Sequence, residues 1–512
     1  LFPSIRNRWP RSRDFNSLLI LFVLLIAIAV YRWIILSGQA APPGSDGGNW
    51  LAFSAELFSG KIRAADAAYP PLFPLLLRFT TLFISPLAAL KVLSILVVSC
   101  LSISAYLLLR TTLNSMLAAL IAVAVVALDY NSEILAWGGY PQLLGATLVL
   151  LSTYFILLGL RTNRGRFVVI SALTGGLAVA SHILATVQLI IIFLTLLAIY
   201  AYRARRTDSQ VHIRRLLWLA LVWVLITIAV TAPAIPAYIR TLSLLGDSPL
   251  NPQQFSMLET FRNISAWRFE YYIWFLLAIF GSVFTLWAVV VRRYVMAEAA
   301  LAFGVASVLG LVALSEIRSI HLLEIGILLC FGIMVKLAWD KFGPRLVEIK
   351  RRSLRYVLVA AIVIVACGVA VLGERRAQVA FNWYRVLDTD VLAALDWARD
   401  NSAVGDVAVA NETPRGGIIG WWVEGYAGIP TFLAVDARWL VFTDERVQAD
   451  IAHEMLLAET NSSEIQMLVQ AHDIHILILH KETLENPVTE LIEAGFINSY
   501  ENDSMMVLTY DE

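Results

Sequence analysis

The sequence predicts a polytopic α-helical membrane protein of about eleven spans, residues 1–373, followed by an extracytoplasmic α/β domain, residues 374–512. Three observations predict it. Hydrophobic residues make up 59% of the chain and charged residues 15%, with a mean hydropathy of +0.72, which excludes an ordinary soluble protein. Apolar runs near the ~20 residues needed to cross a bilayer recur up to residue 373. The charges are segregated: residues 1–373 hold 31 basic and 15 acidic side chains, whereas residues 374–512 hold 8 and 24.

The first apolar run, Leu18 to Leu36, follows Arg6, Arg8, Arg11 and Arg13 and is too long for a signal-peptide core. It reads as a retained anchor with a cytoplasmic N-terminus. Further spans are expected at about 87–109, 112–130, 141–160, 167–182, 184–202, 215–235, 272–291, 295–314, 321–338 and 356–373. Arg161, Arg164 and Arg166, then Arg203 to Arg215, Arg292 and Arg293, and Lys341 to Arg355 fall on alternate connections, which assigns these to the cytoplasm. Eleven spans then leave the C-terminus outside. Cys100, Cys330 and Cys367 lie within apolar runs, so neither a disulfide framework nor a cysteine metal site is expected.

The outer connections are 37–86, 129–141, 236–271, 315–321 and the tail. In the first, GSDGGNWLAFSAELFSG from Gly44 to Gly60 places Asp46 among glycines and serine, where backbone can approach a ligand closely. Trp50, Phe53, Leu57 and Phe58 then cover one face of a short helix expected to lie flat on the membrane. On the plainer reading Asp46 only caps that helix. A second interfacial helix is expected over Pro71 to Phe83, with Pro70, Pro71 and Pro74 imposing a bend.

Glu133 lies beside Trp137, Gly138, Gly139 and Tyr140, a carbohydrate-stacking wall or an interfacial aromatic belt. Asp46 and Glu133 are candidates to share a divalent cation. His182, between two apolar stretches, is either a structural histidine paired with a neighbouring helix or a functional one. Arg318, His321 and Glu324 are spaced by three and share a helical face. There the Arg and His suit a phosphate or pyrophosphate with Glu324 orienting one of them, the alternative being an internal salt bridge. Arg32 either snorkels to the headgroups or adds a phosphate contact.

In the tail, helices are expected at Val391 to Arg399, Asp444 to Leu457 and Val488 to Ala494. Strands are expected at Val407 to Ala410, Ile474 to Leu479 and Met505 to Thr509, and an apolar segment at Ile418 to Trp422. Trp421, Trp422, Glu424 and Tyr426 cluster between Gly420 and the GIPTF segment, where they suit substrate contact or a contact between the tail and the membrane part.

These features resemble the GT-C superfamily of membrane glycosyltransferases, which take a sugar from a polyprenyl-phosphate or polyprenyl-pyrophosphate donor on the non-cytoplasmic side. Asp46, followed by Trp50, Leu57 and Gly60, matches the acidic residue of the first external loop that is the family's usual catalytic group. His182 is comparable to a histidine near the outer end of a middle span, and Arg318 to a donor-phosphate arginine. GWWVEGY is similar to the WWDYG motif of oligosaccharyltransferase catalytic subunits, with Val423 and Glu424 in place of Asp and Tyr. The resemblance implies an inverting transferase in the cell membrane with a polyprenyl-linked sugar donor, a glycan, lipid or protein acceptor, membrane lipid around it and no nucleic-acid partner. Two other classes fit the same composition: a lipid-carrier transporter, and a non-catalytic membrane assembly protein with an outer recognition domain.

Overall fold

The computed structural model describes residues 13–57, 69–113, 131–162, 164–206, 210–240, 296–314, 329, 378–435, 440 and 443–510. The expected spans 272–291 and 356–373, nearly all of 112–130 and 321–338, and the Arg318, His321 and Glu324 face lie outside these residues. Among the described residues, Pro86–Arg110, Tyr140–Thr162, Ile183–Arg205 and Ile213–Arg240 are long and apolar enough to cross a membrane. The chain is a polytopic helical membrane protein.

Except for α5, which falls in the connection expected over 129–141, the helices follow the expected runs closely: α1 (Arg13–Ser37), α2 (Asp46–Glu56), α3 (Leu72–Thr81), α4 (Pro86–Leu113), α5 (Asn131–Trp137), α6 (Tyr140–Thr162), α7 (Gly165–Val179), α8 (Ile183–Arg206), α9 (Gln210–Thr231) and α10 (Met296–Leu314). Helix α6 packs against α4 and α7, α7 against α9, and α8 against α10. Apolar surface gains little by leaving lipid for another helix, so small residues and hydroxyls hold such a bundle. Ser152 and Ser171 each donate to the other's carbonyl at 2.8 Å, and Trp223 Nε1 donates to Ser171 Oγ at 2.9 Å. Gly176 lets Val230 come so close that a Cβ would sit 2.5 Å from its side chain. Glu298, fully buried at the start of α10, pairs with Arg203 near the end of α8.

Helix α3 is the expected second interfacial helix. Phe73 and Leu77 are buried, while Leu76 and Phe79, with Leu82 and Phe83 just beyond its end, stay exposed. Pro74 is tolerated because it falls in the first turn, where its missing N–H has no intrahelical partner.

Residues 389–510 form a five-stranded sheet in the order β2-β1-β3-β5-β4. Its strands are β1 (Val407–Ala410), β2 (Thr431–Leu433), β3 (Ile474–His480), β4 (Phe496–Glu501) and β5 (Met505–Tyr510). β1 runs parallel to β2 and β3, and β5 antiparallel to β3 and β4. The sheet is covered on both faces, which explains the unbroken apolar run of β3. Val409, Leu477, Leu479 and Leu508 face a core shared with α12 (Thr443–Leu456), α13 (Ser462–His472) and α14 (Val488–Glu493). The alternate residues Ala408, Ala410, Ile476, Ile478 and Val507 face α11 (Thr389–Asn401) and belong to the core that continues into the membrane helices. Asp388 caps α11 by accepting from Asp390 N and Val391 N, and Asn461 with Glu464 forms a capping box on α13. The strands β2 and β4 and the helix α13 were not among the expected elements.

Candidate active site at the Asp46 helix

Asp46 is the first helical residue of α2, and Ser45 is its N-cap without a side-chain cap bond. Asp46 is therefore not the N-cap but an acidic residue of the first turn, where the helix N-terminus favours negative charge. Ser45 is occupied elsewhere, its Oγ accepting from Ile418 N at 2.9 Å. Gly44, at φ +103°, donates to Tyr384 O at 2.8 Å, and its carbonyl accepts from Trp422 Nε1 at 3.1 Å. The approach to Asp46 is thus fastened to the C-terminal part of the chain at three points.

The helix is packed within the protein on more than its apolar face: Gly47, Gly48, Trp50, Leu51, Ala52, Phe53 and Ser54 are all buried. The apolar face was read correctly, but the opposite face carries glycine, alanine and serine, and that smallness admits a second backbone. A Cβ on Gly48 would meet the Trp421 carbonyl, and one on Gly425 would meet Gly48 O. The GWWVEGYA segment, helical over Gly420–Trp422 and wound as a π-turn over Val423–Ala427, occupies that face.

On the other side, Gly138 at φ +100° presses against Asp46, a Cβ there falling 2.7 Å from the Asp46 Cβ. Gly138 O accepts from Trp50 Nε1 and from Tyr140 N, both at 2.8 Å, which stitches α2 to the start of α6. An aromatic chain runs onward from there. Tyr140 to Phe73 is 5.6 Å between ring centroids, Phe73 to Trp50 6.3 Å, Trp50 to Tyr69 4.7 Å and Tyr69 to His182 6.1 Å. Asp46 and His182 are therefore joined through packed rings, a link that nothing in the spacing of Tyr69 or Phe73 foretold.

His182 stands between α7 and α8, and its Nδ1 accepts from Leu184 N at 3.1 Å. It caps α8 with a neutral ring nitrogen, so the histidine has a structural task whatever else it does. Trp422 is 0% exposed, packed on Gly47 and bonded to Gly44, so its role is the contact of tail with membrane part and not an open substrate wall. Tyr140 is equally buried, which removes its ring from any exposed stacking surface. Glu424 Oε1 accepts from Thr431 N at 3.3 Å, tying the π-turn to β2. The Tyr426 hydroxyl donates to Asp396 at 2.6 Å and accepts from Arg399 at 2.7 Å. Partial burial, then the Asp396 bond, holds that phenol above its ordinary pKa.

Arg32 is 1% exposed, so the expected snorkelling is not seen: the side chain is buried in the protein near the C-terminal end of α1. Lys91 was missed. It is the lone charge in the apolar run of α4 before Arg110. Its Nζ donates to Gln39 O at 2.6 Å, on the chain that leads from α1 to Asp46, and lies 5.8 Å from the Trp33 ring centroid. Glu133 lies on α5, whose C-terminal end carries Trp137, partly buried beside Gly139.

No family model and no curated protein sequence matches the chain. Solved structures do match. The apo oligosaccharyltransferase of Archaeoglobus fulgidus superposes with a TM-score of 0.63 at 13% identity, over 99% of this chain and 75% of that one. The mycobacterial arabinofuranosyltransferase AftD gives 0.62 at 13%, over 98% of this chain and 40% of its own. ArnT from Cupriavidus metallidurans, bound to undecaprenyl phosphate, gives 0.55 at 14%, over 95% of this chain and 97% of its own. The chain has the GT-C fold. Among structures with the GT-C fold, the archaeal enzyme is also seen with an inhibitory peptide and dolichol-phosphate, and with Zn and sulfate. In this chain no group of three or more His, Cys, Asp or Glu side chains converges on a metal position among the described residues.

Proposed function

We propose that the protein is a glycosyltransferase that moves a sugar from a polyprenyl-(pyro)phosphate donor to an acceptor at the outer membrane face. The observation that carries this reading is Asp46: a carboxylate on the first turn of a helix immobilised on both sides, in a fold shared with enzymes seen with polyprenyl phosphates. In the step we infer, an acceptor hydroxyl gives its proton to the Asp46 carboxylate as its oxygen attacks the anomeric carbon. The bond from that carbon to the phosphate oxygen breaks, its electron pair leaves with the lipid phosphate, and the anomeric configuration inverts. A phosphate leaving group needs little acid assistance, so one carboxylate suffices.

Arg318, with His321 and Glu324, and the inward-turned Arg32 are the side chains we assign to the departing phosphate. Trp137 is assigned to the sugar side of the site. Residues 374–512 sit, on this reading, at the extracytoplasmic face, where Trp421 and Trp422 hold the Asp46 helix in place. Asp46→Asn keeps the shape and withdraws the base. It is expected to leave the fold and donor binding intact and to lower transfer from a radiolabelled polyprenyl-linked sugar by at least about a hundredfold. Undiminished transfer by a folded Asn variant would sink the assignment.

A further inference from the structure

Tyr140 opens α6 with its ring sealed beneath Phe73 and its hydroxyl buried without a hydrogen-bond partner among the described residues. A phenol is ordinarily placed so that its hydroxyl is satisfied, because an unpaired buried hydroxyl is costly. This one lies on the Asp46 side of α6. A Cβ on Gly138 would lie 2.7 Å from the Asp46 Cβ, and the Gly138 carbonyl accepts from Tyr140 N at 2.8 Å. Asp46 and Tyr140 thus flank the same glycine, and their side chains carry complementary chemistry: an ionised carboxylate only accepts hydrogen bonds, and a phenol can donate one.

We propose that the Tyr140 hydroxyl is a donor kept for a ligand hydroxyl held against Asp46, so that one oxygen gives its proton toward the carboxylate and accepts from the phenol. A phosphate oxygen does not suit the position, since it has no proton for Asp46 and is repelled by it. The ligand group is therefore a hydroxyl, of the donated sugar or of the acceptor. This rests on the transferase reading above and adds to it the identity of the second hydrogen-bonding group. The costly unpaired hydroxyl is retained because bound ligand, not the protein, completes it.

The test is Tyr140→Phe in the full chain in nanodiscs. Thermal stability is read alongside affinity for a panel of short-chain polyprenyl-phosphate pentoses and hexoses, and transfer to methyl glycosides. Removing an unsatisfied hydroxyl is expected to leave the unfolding temperature unchanged or raise it by about 1 °C, while kcat/KM falls roughly ten- to a hundredfold. Weakened donor affinity assigns the ligand hydroxyl to the donated sugar; a raised acceptor KM with unchanged donor affinity assigns it to the acceptor. A variant that unfolds at a clearly lower temperature, or fails to accumulate, shows the hydroxyl to be structural and overturns the proposal. So does unchanged kcat/KM in a stable variant. A wild-type chain that neither binds nor transfers any sugar of the panel would instead remove the transferase reading itself, whatever Tyr140→Phe does to stability.

Discussion

Gly47→Ala tests the packing on which the Asp46 site depends. A Cβ at this position would sit 2.7 Å from Cη2 and Cζ2 of Trp422 and 3.0 Å from Leu90 Cδ2. Ordinary contact begins near 3.4 Å, so about 0.7 Å must be found between α2 and the Trp422 ring. The ring is fully buried and its Nε1 is held by Gly44 O, so it yields little and α2 must move. Alanine would by itself favour the helix by about 1 kcal/mol, but overpacking of this kind costs roughly 1–3 kcal/mol. The net expectation is destabilisation of up to about 2 kcal/mol. Asp46 is the adjacent residue. Since a misplacement of about 1 Å can cost about a hundredfold in rate, a shift approaching that size should lower kcat about tenfold or more. Trp422→Phe removes both clashing atoms together with the bond to Gly44, and alone should destabilise by about 1–3 kcal/mol through the stranded carbonyl. The double variant should then be less damaged than the two losses added, with a coupling of at least about 0.5 kcal/mol and partial recovery of kcat. Thermal unfolding in nanodiscs and sugar transfer read the two quantities. Strict additivity, or a Gly47→Ala protein that is more stable and fully active, would refute the reasoning.

His182→Ala should destabilise by about 0.5–2 kcal/mol through loss of the α8 cap, whereas His182→Asn, which can still accept from Leu184 N, should keep most of that stability; retained stability with lost transfer in the Asn variant would show a second, chemical role. His480 closes β3 with its Nδ1 accepting from Glu482 N at 3.3 Å, and burial lowers its pKa below the ordinary 6.5. A group whose folded pKa is depressed gives stability that is fully present above the unfolded value, so the unfolding temperature should fall as pH drops below about 6.5. His480→Asn should flatten that slope between pH 7 and the lower folded value.

The parts of the fold legible in the sequence are those where one period dominates. The membrane helices show as long apolar runs, and β1, β3 and β5 as short ones buried on both faces. The helix α13 escaped because its polar start masks the pattern, although Asn461 and Glu464 spell a capping box. β4, an edge strand with Asn498, Ser499 and Glu501 turned outward, carries too little apolar alternation to stand out. At the site, Asp46 was singled out by its glycines, but their purpose was misread. Gly47 and Gly48 were taken to open the backbone to a ligand, and they admit Trp421, Trp422 and Gly425 instead. That contact joins positions nearly four hundred residues apart, and no local pattern encodes it. His182 is the converse case: its cap partner, Leu184 N, is only two residues away, and the residue type alone did not mark it as a cap.

The fastening of Gly44 and Ser45 to Tyr384, Ile418 and Trp422 also sets a clock on biosynthesis. Asp46 leaves the ribosome well before the surface that seats its helix, which is made more than three hundred residues later. Until the stretch around Trp422 has been synthesised and has docked, one face of α2 has only glycine, alanine and serine to show and nothing to lie against. The seat of the Asp46 helix is therefore completed only after the distant Trp422 segment has been made. A chain that stops short of Trp422 would insert its early helices yet leave the Asp46 helix without its seat.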